Sequence, residues 1–208
     1  MKTLAILLGL VVGTFSLKAN AYVPNAKLAG ESVSVRVLKD EARVTAVFEF
    51  EDLITRDAKK VYFPIFAADG ADPGKILARA GFELEIRGKK LGTAFPCEAP
   101  EKFRKKTSDP RVYWFVADID DLVEAAEIEL HPRMIIRVSY SQPLIDGRFH
   151  YLPVIVGQDD RENRSWRYQM VVRSNLHIME VVSKGTDYEQ IAEGVVVYLK
   201  DGETVVVR

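Results

Sequence analysis

Apolar residues recur at every second position through most of this 208-residue chain, the period of a strand with one covered face. Val33, Val35 and Val37 alternate with Ser34 and Arg36. After the polar turn Lys39-Asp40-Glu41, Val44, Ala46, Phe48 and Phe50 alternate with residues that include Thr45 and Glu49. A polar link through Asp52 and Asp57 then leads to a third run, 59–66, ending Tyr62-Phe63-Pro64-Ile65-Phe66. The three segments read as strands paired by tight turns around a shared apolar face.

The same pattern continues downstream. Phe82, Leu84 and Ile86 alternate with Glu83, Glu85 and Arg87, and Gly88-Lys89-Lys90 reverses the chain into a short strand over 91–95. Residues 112–116, Val-Tyr-Trp-Phe-Val, are apolar on both faces, as in a strand covered on two sides. A strand over 134–140 follows a break at His131-Pro132, where proline withholds a ladder donor. Further strands are expected over 148–156, 166–172, 176–182, 195–199 and 204–207, with turns at Asp146-Gly147, Ser174-Asn175 and Asp201-Gly202. Helical signals are brief: 75–79 reads as one turn, and 118–127 as a short helix capped by Asp118 or Asp120. Ten or eleven strands with no internal repeat predict one all-β domain over 22–208, an antiparallel β-sandwich. A division into two subdomains near 96–110 is the other reading, although that polar, basic stretch around Phe103 reads first as a long solvated connection.

The N-terminus departs from this grammar. Lys2 precedes an almost wholly apolar run to Leu17, and Ala19-Asn20-Ala21 sets small residues at a cleavage position. That three-part order predicts a secretory signal over 1–21, removed after Ala21. The run is shorter than the roughly 20 apolar residues that cross a bilayer, so no membrane span is expected after cleavage. The protein is therefore expected in the periplasm or outside the cell. The leader holds Lys2 and Lys18 and no acid, so 27 cations face 30 acids in the remainder. This balance offers no broad attraction for nucleic acid. One cysteine, Cys97, cannot form an internal bridge. It reads first as a buried inert thiol, then as a disulfide to a partner or a catalytic thiol.

Candidate chemistry is sparse. His131, His150 and His177 stand at no short metal-ligand spacing, and His150 and His177 sit opposite apolar sets in their strands, as ordinary surface or hydrogen-bonded histidines would. No nucleophile elbow or phosphate-cradling glycine pattern occurs. No catalytic residue, metal or cofactor is assigned. Residues 157–165 are the most polar loop, longer than most strand connections. Asp159, Asp160, Arg161, Glu162 and the adjoining Trp166 form the candidate binding loop. Exposed aromatics could serve as sugar platforms, with Trp114 and Trp166 the rings to test, while core burial is the plainer account of them.

The order of Phe48-Glu49-Phe50, Val61-Tyr62-Phe63-Pro64, Arg137-Val138-Ser139-Tyr140, Phe149-His150-Tyr151 and Trp166 resembles exported bacterial β-sandwich proteins grouped as a family of unknown function. The opening is also similar to the vault/inter-alpha-trypsin type domain, without the von Willebrand A-type partner domain. Neither resemblance implies catalytic residues. The sequence as a whole predicts an exported, non-catalytic β-sandwich binding a protein or glycan component of the cell envelope or extracellular space. The alternative is a hydrolase of envelope polymers whose residues converge from separate strands.

Overall fold

The computed structural model describes residues 23, 27–51, 60–86, 88–91, 94–104, 109–119, 133–153, 168–174, 179–183, 186–199 and 204–208. The leader, the expected helix beyond Ile119, the His131-Pro132 break, His177 and the Asp201-Gly202 turn lie outside them.

Strands β1 (Lys27–Val37) and β2 (Glu41–Glu51) form the expected hairpin, closed by the Leu38 N–H donating to the Glu41 carbonyl at 2.8 Å. Its alternation is obeyed residue by residue: Val33, Val35, Val37, Val44, Ala46, Phe48 and Phe50 are buried, while Ser34 and Arg36 are exposed. β1 starts at Lys27 rather than Val33, past an irregularity in register between Leu28 and Gly30. Along the chain follow β3 (Lys60–Phe66), α1 (Pro73–Ala80), β4 (Glu83–Ile86), β5 (Lys89–Leu91), β6 (Phe95–Cys97), α2 (Glu101–Arg104) and β7 (Val112–Asp118). Then come β8 (Arg133–Pro143), β9 (Phe149–Tyr151), β10 (Tyr168–Ser174), β11 (Tyr188–Ile191), β12 (Gly194–Tyr198) and β13 (Val205–Val207).

The fold is all-β. Eight strands form one sheet in the order β11-β12-β10-β1-β2-β8-β4-β5, three form a second, β3-β7-β6, and β13 pairs with β9. β1 runs parallel to β10 and every other named pair is antiparallel. The expected run of three successive paired strands does not form. β2 takes β8 along its whole length, from Glu41 opposite Pro143 to Glu51 opposite Arg133, and β3 crosses to the second sheet. The described residues hold thirteen strands rather than ten or eleven. β5, β6 and β11 fall where a turn, a connection and a polar link are expected. Each is an edge strand, whose backbone pairs while Lys89, Lys90, Phe95, Pro96, Tyr188, Glu189 and Gln190 are exposed, so no apolar alternation marks it.

The inner face of the large sheet meets β3, β7, β9 and β13 in one apolar cluster. Phe63 on β3 stacks on Phe82, with ring centroids 4.3 Å apart, and lies 5.9 Å from Phe115 on β7. The two-sided reading of 112–116 is seen directly: Phe115 faces the main core and Trp114 faces a satellite core of Phe66, Phe103 and Leu152. Phe103, 1 % exposed, anchors α2 inside a stretch expected to be solvated. Glu31, also 1 % exposed, accepts a 2.5 Å hydrogen bond from the Tyr151 hydroxyl, which ties the large sheet to β9.

Candidate functional site

The tip of the β1–β2 hairpin, helix α1 and the end of β8 surround an open cleft of about 770 Å³. Each wall is set by local chemistry. Asp72 caps α1 by accepting the Lys75 N–H at 2.9 Å, Pro73 opens the helix, and Gly81 ends it in the left-handed region at φ 56°. The helix is thus eight residues long rather than the single expected turn. The Tyr113 hydroxyl accepts the Ala71 N–H at 2.8 Å and donates to the Ala68 carbonyl at 3.0 Å, clamping the loop before the helix. Across the cleft, Asp146 and Gly147 both take positive φ (52° and 70°), as a tight hairpin turn requires, between Ile145 and Arg148. The Leu144 N–H donates to the Asp40 carbonyl at 3.1 Å and joins this turn to the β1–β2 tip. Ala67, Ile76 and Leu144 contribute apolar lining, and Lys39, Asp40, Asp72, Lys75, Arg79 and Asp146 contribute charge.

A polar cluster lies behind Ile145, which belongs both to the cleft lining and to the satellite core. Arg111 grips Asp109 with two forked hydrogen bonds, 2.9 and 2.7 Å. The guanidinium holds the Asp109 carboxyl below the usual carboxylate range, and Asp109 in turn raises Arg111. Nearby, His150 is buried rather than on the surface where its strand position places it. Its ring sits 5.4 Å from that of Phe66, and its carbonyl accepts the Gln142 side-chain N–H at 2.7 Å. Strand β9 is covered on both faces, which is why alternation misplaces this residue. Burial depresses the His150 pKa, helped by the charges of Arg111 and Arg148 and opposed by Asp109 and Asp146. Among the described residues, His150 Nδ1 and Trp114 Nε1 are buried with no hydrogen-bond partner.

His150 does not line the cleft, so among the described residues no histidine joins the carboxylates of its rim. Trp114, 5 % exposed, stacks on Phe103 at 5.4 Å and offers no ring to a sugar. Cys97 is half-buried, and burial pushes its thiol up to about 11 against the charge of Lys60, which disfavours the thiolate a nucleophile needs. Asp159, Asp160, Arg161, Glu162 and Trp166 lie outside the described residues. No group of three His, Cys, Asp or Glu gathers to hold a metal ion among the described residues, and none of their helices is long and apolar enough to cross a membrane. Sequence reading missed the cleft, though a signal for its helix was present: Asp72-Pro73 eight residues before Gly81 is a start and stop pair.

No family model and no curated protein matches the chain. Among solved structures it is similar to yeast leukotriene A4 hydrolase in complex with bestatin, at 7 % identity and a TM-score of 0.45, over 93 % of this chain and 30 % of that one. The native enzyme from Saccharomyces cerevisiae gives 6 % identity and a TM-score of 0.41, again over 93 % and 30 %. The chain thus spans less than a third of those structures, and likeness this slight carries nothing about activity.

Proposed function

We propose that the protein is an exported, non-catalytic binding module that takes a protein or glycan component of the cell envelope or extracellular space in the cleft beside α1. The observation that supports it is the cleft itself: apolar lining, a few convergent charged groups, and walls preset by capping, turn and backbone hydrogen bonds. Preset walls lower the ordering cost of binding. The competing hydrolase reading is favoured by a histidine beside carboxylates in one cavity, whereas among the described residues Asp40, Asp72 and Asp146 line the cleft and His150 stands apart from them, against Phe66.

Ala68→Trp tests the site, because Ala68 lines the cleft, is exposed, and can carry a bulky ring without disturbing the core. Wild-type protein should select ligands on glycan and peptide arrays, and the variant should lose them by about tenfold or more with its melting temperature unchanged. Equal binding by the variant would place the site elsewhere. Export is tested by N-terminal sequencing of protein from its native host: a start at Tyr22 is expected, and retention of Met1 with the apolar run would overturn it.

A further inference from the structure

The outer face of the large sheet carries a row of arginines. Arg36 on β1 stands directly opposite Arg43 on β2 and directly opposite Arg173 on β10, so three guanidinium side chains leave neighbouring strands at one level. Those strands lie about 4.8 Å apart. All three arginines are exposed, because Val35, Val37, Ala42, Val44, Val172 and Ser174 beside them along the strands turn inward. Like charges placed directly opposite one another in a sheet are unfavourable, and here two such pairs adjoin. Among the described residues only Arg43 has an ion pair in this row, to Glu41 at 3.4 Å, between two well-exposed side chains. Such a pair neutralises little.

The neighbours of the row are hydroxyls. Ser141 extends it beyond Arg43, and the next level carries Ser139, Thr45 and Ser34 side by side, with Thr45 Oγ1 3.4 Å from Ser139 Oγ. At its other end the row meets Gly194 opposite Arg173, which presents no side chain to screen it. Backbone groups here are committed to the ladder, so recognition falls to three cationic forks and four hydroxyls. We propose that this row binds an anionic polysaccharide, the guanidiniums taking its carboxylate or sulfate groups and the serine and threonine hydroxyls its sugar oxygens.

Planar guanidinium forks match such anions in two-point geometry. Between Ser141 and Gly194 the arginine level carries no apolar side chain to meet a peptide's own, and the half-buried Val171 and Val196 continue the second level only beyond Ser34. A bilayer or nucleic-acid duplex, being broad, would also meet Glu83 and Glu189, at the two ends of the hydroxyl level, and Glu49 and Glu85 farther along the same outer face. A narrow chain along the row meets the three arginines, with Glu41 beside Arg43 as the acid at its margin.

The test is fluorescence anisotropy with a labelled heparin oligosaccharide at low ionic strength. Wild-type protein should bind, and binding should weaken as salt shortens the screening length. Arg36→Gln with Arg173→Gln should lower affinity by about tenfold or more, the scale of lost charge-assisted hydrogen bonds. Its melting temperature should stay level or rise as repulsion is relieved, a change that a merely structural role would reverse. Arg137→Gln, on the same face but off the row, should bind as the wild type does. No binding by the wild type, undiminished binding by the double variant, or an equal loss in Arg137→Gln would overturn the proposal. Displacement of the oligosaccharide by lower concentrations of single-stranded DNA, polyglutamate or phosphatidylserine vesicles would also overturn it, in favour of that class.

Discussion

Phe63→Ala should be among the most damaging substitutions in the chain, because one aromatic stack joins the three-stranded sheet to the large one. Phe63 is 1 % exposed, its ring lies parallel to Phe82 at 4.3 Å, and Phe115 flanks it at 5.9 Å. A buried aromatic withdraws roughly 150–250 Å² from water, which at about 25 cal/mol per Å² corresponds to about 4–6 kcal/mol. Alanine keeps part of that term, and the unfilled cavity adds to the loss, so the net cost should be about 3–5 kcal/mol. For a domain of this size that is a fall of roughly 6–20 °C in melting temperature. Urea unfolding followed by circular dichroism measures the change, with Thr45→Ala as a control. Thr45 sits on the outer face with only a 3.4 Å hydroxyl contact to Ser139, and its loss should cost less than about 1 kcal/mol. A cycle of Phe63→Leu and Phe82→Leu should return a coupling of about 0.5–1.5 kcal/mol for the stack. The reasoning fails if Phe63→Ala costs no more than Thr45→Ala, or if the two rings are uncoupled.

Three further outcomes follow from particular contacts. A Cβ at Gly194 would lie 1.9 Å from the Val172 carbonyl oxygen, so Gly194→Ala must push β12 off β10 and should cost about 1–3 kcal/mol in a thermal melt; an unchanged melt would show that the strands part freely. His150 has its folded pKa depressed by burial, so the unfolded chain binds the proton first, near pH 6.5. Stability should then be full above that value and decline as pH falls below it toward the folded pKa; His150→Phe should flatten that slope, and an equal slope in both proteins would refute it. Asp109, held low by Arg111, acts in a separate window, losing its contribution only as pH falls below about 3.9. Cys97, with its thiol pushed up to about 11, should react with iodoacetamide at pH 8 at least about tenfold slower in the native protein than in urea, and equal rates would remove the case for an inert thiol.

Period-two alternation by itself determined that the chain is all-β and which face of most strands is buried. Val33 to Val37, Val44 to Phe50 and Phe82 to Ile86 turn inward as their spacing requires, because covering one face of a strand is a local property of every second residue. The unbroken apolar run 112–116 likewise announced a strand covered twice. Partner choice was not local. Nothing near β2 marks β8 as its neighbour, and nothing near β1 marks the parallel β10. Both are decided by which apolar faces meet across the whole chain, at the loop-closure cost of distant contacts. The same holds for a polar residue that alternation assigns to solvent. His150 is buried because β9 is covered from both sides, whereas Glu31, in phase with Val33, already points inward, where the Tyr151 hydroxyl partners it. The arginine row belongs to this class: Arg36, Arg43 and Arg173 look like scattered surface charges in sequence, and only the pairing of β2, β1 and β10 sets them side by side.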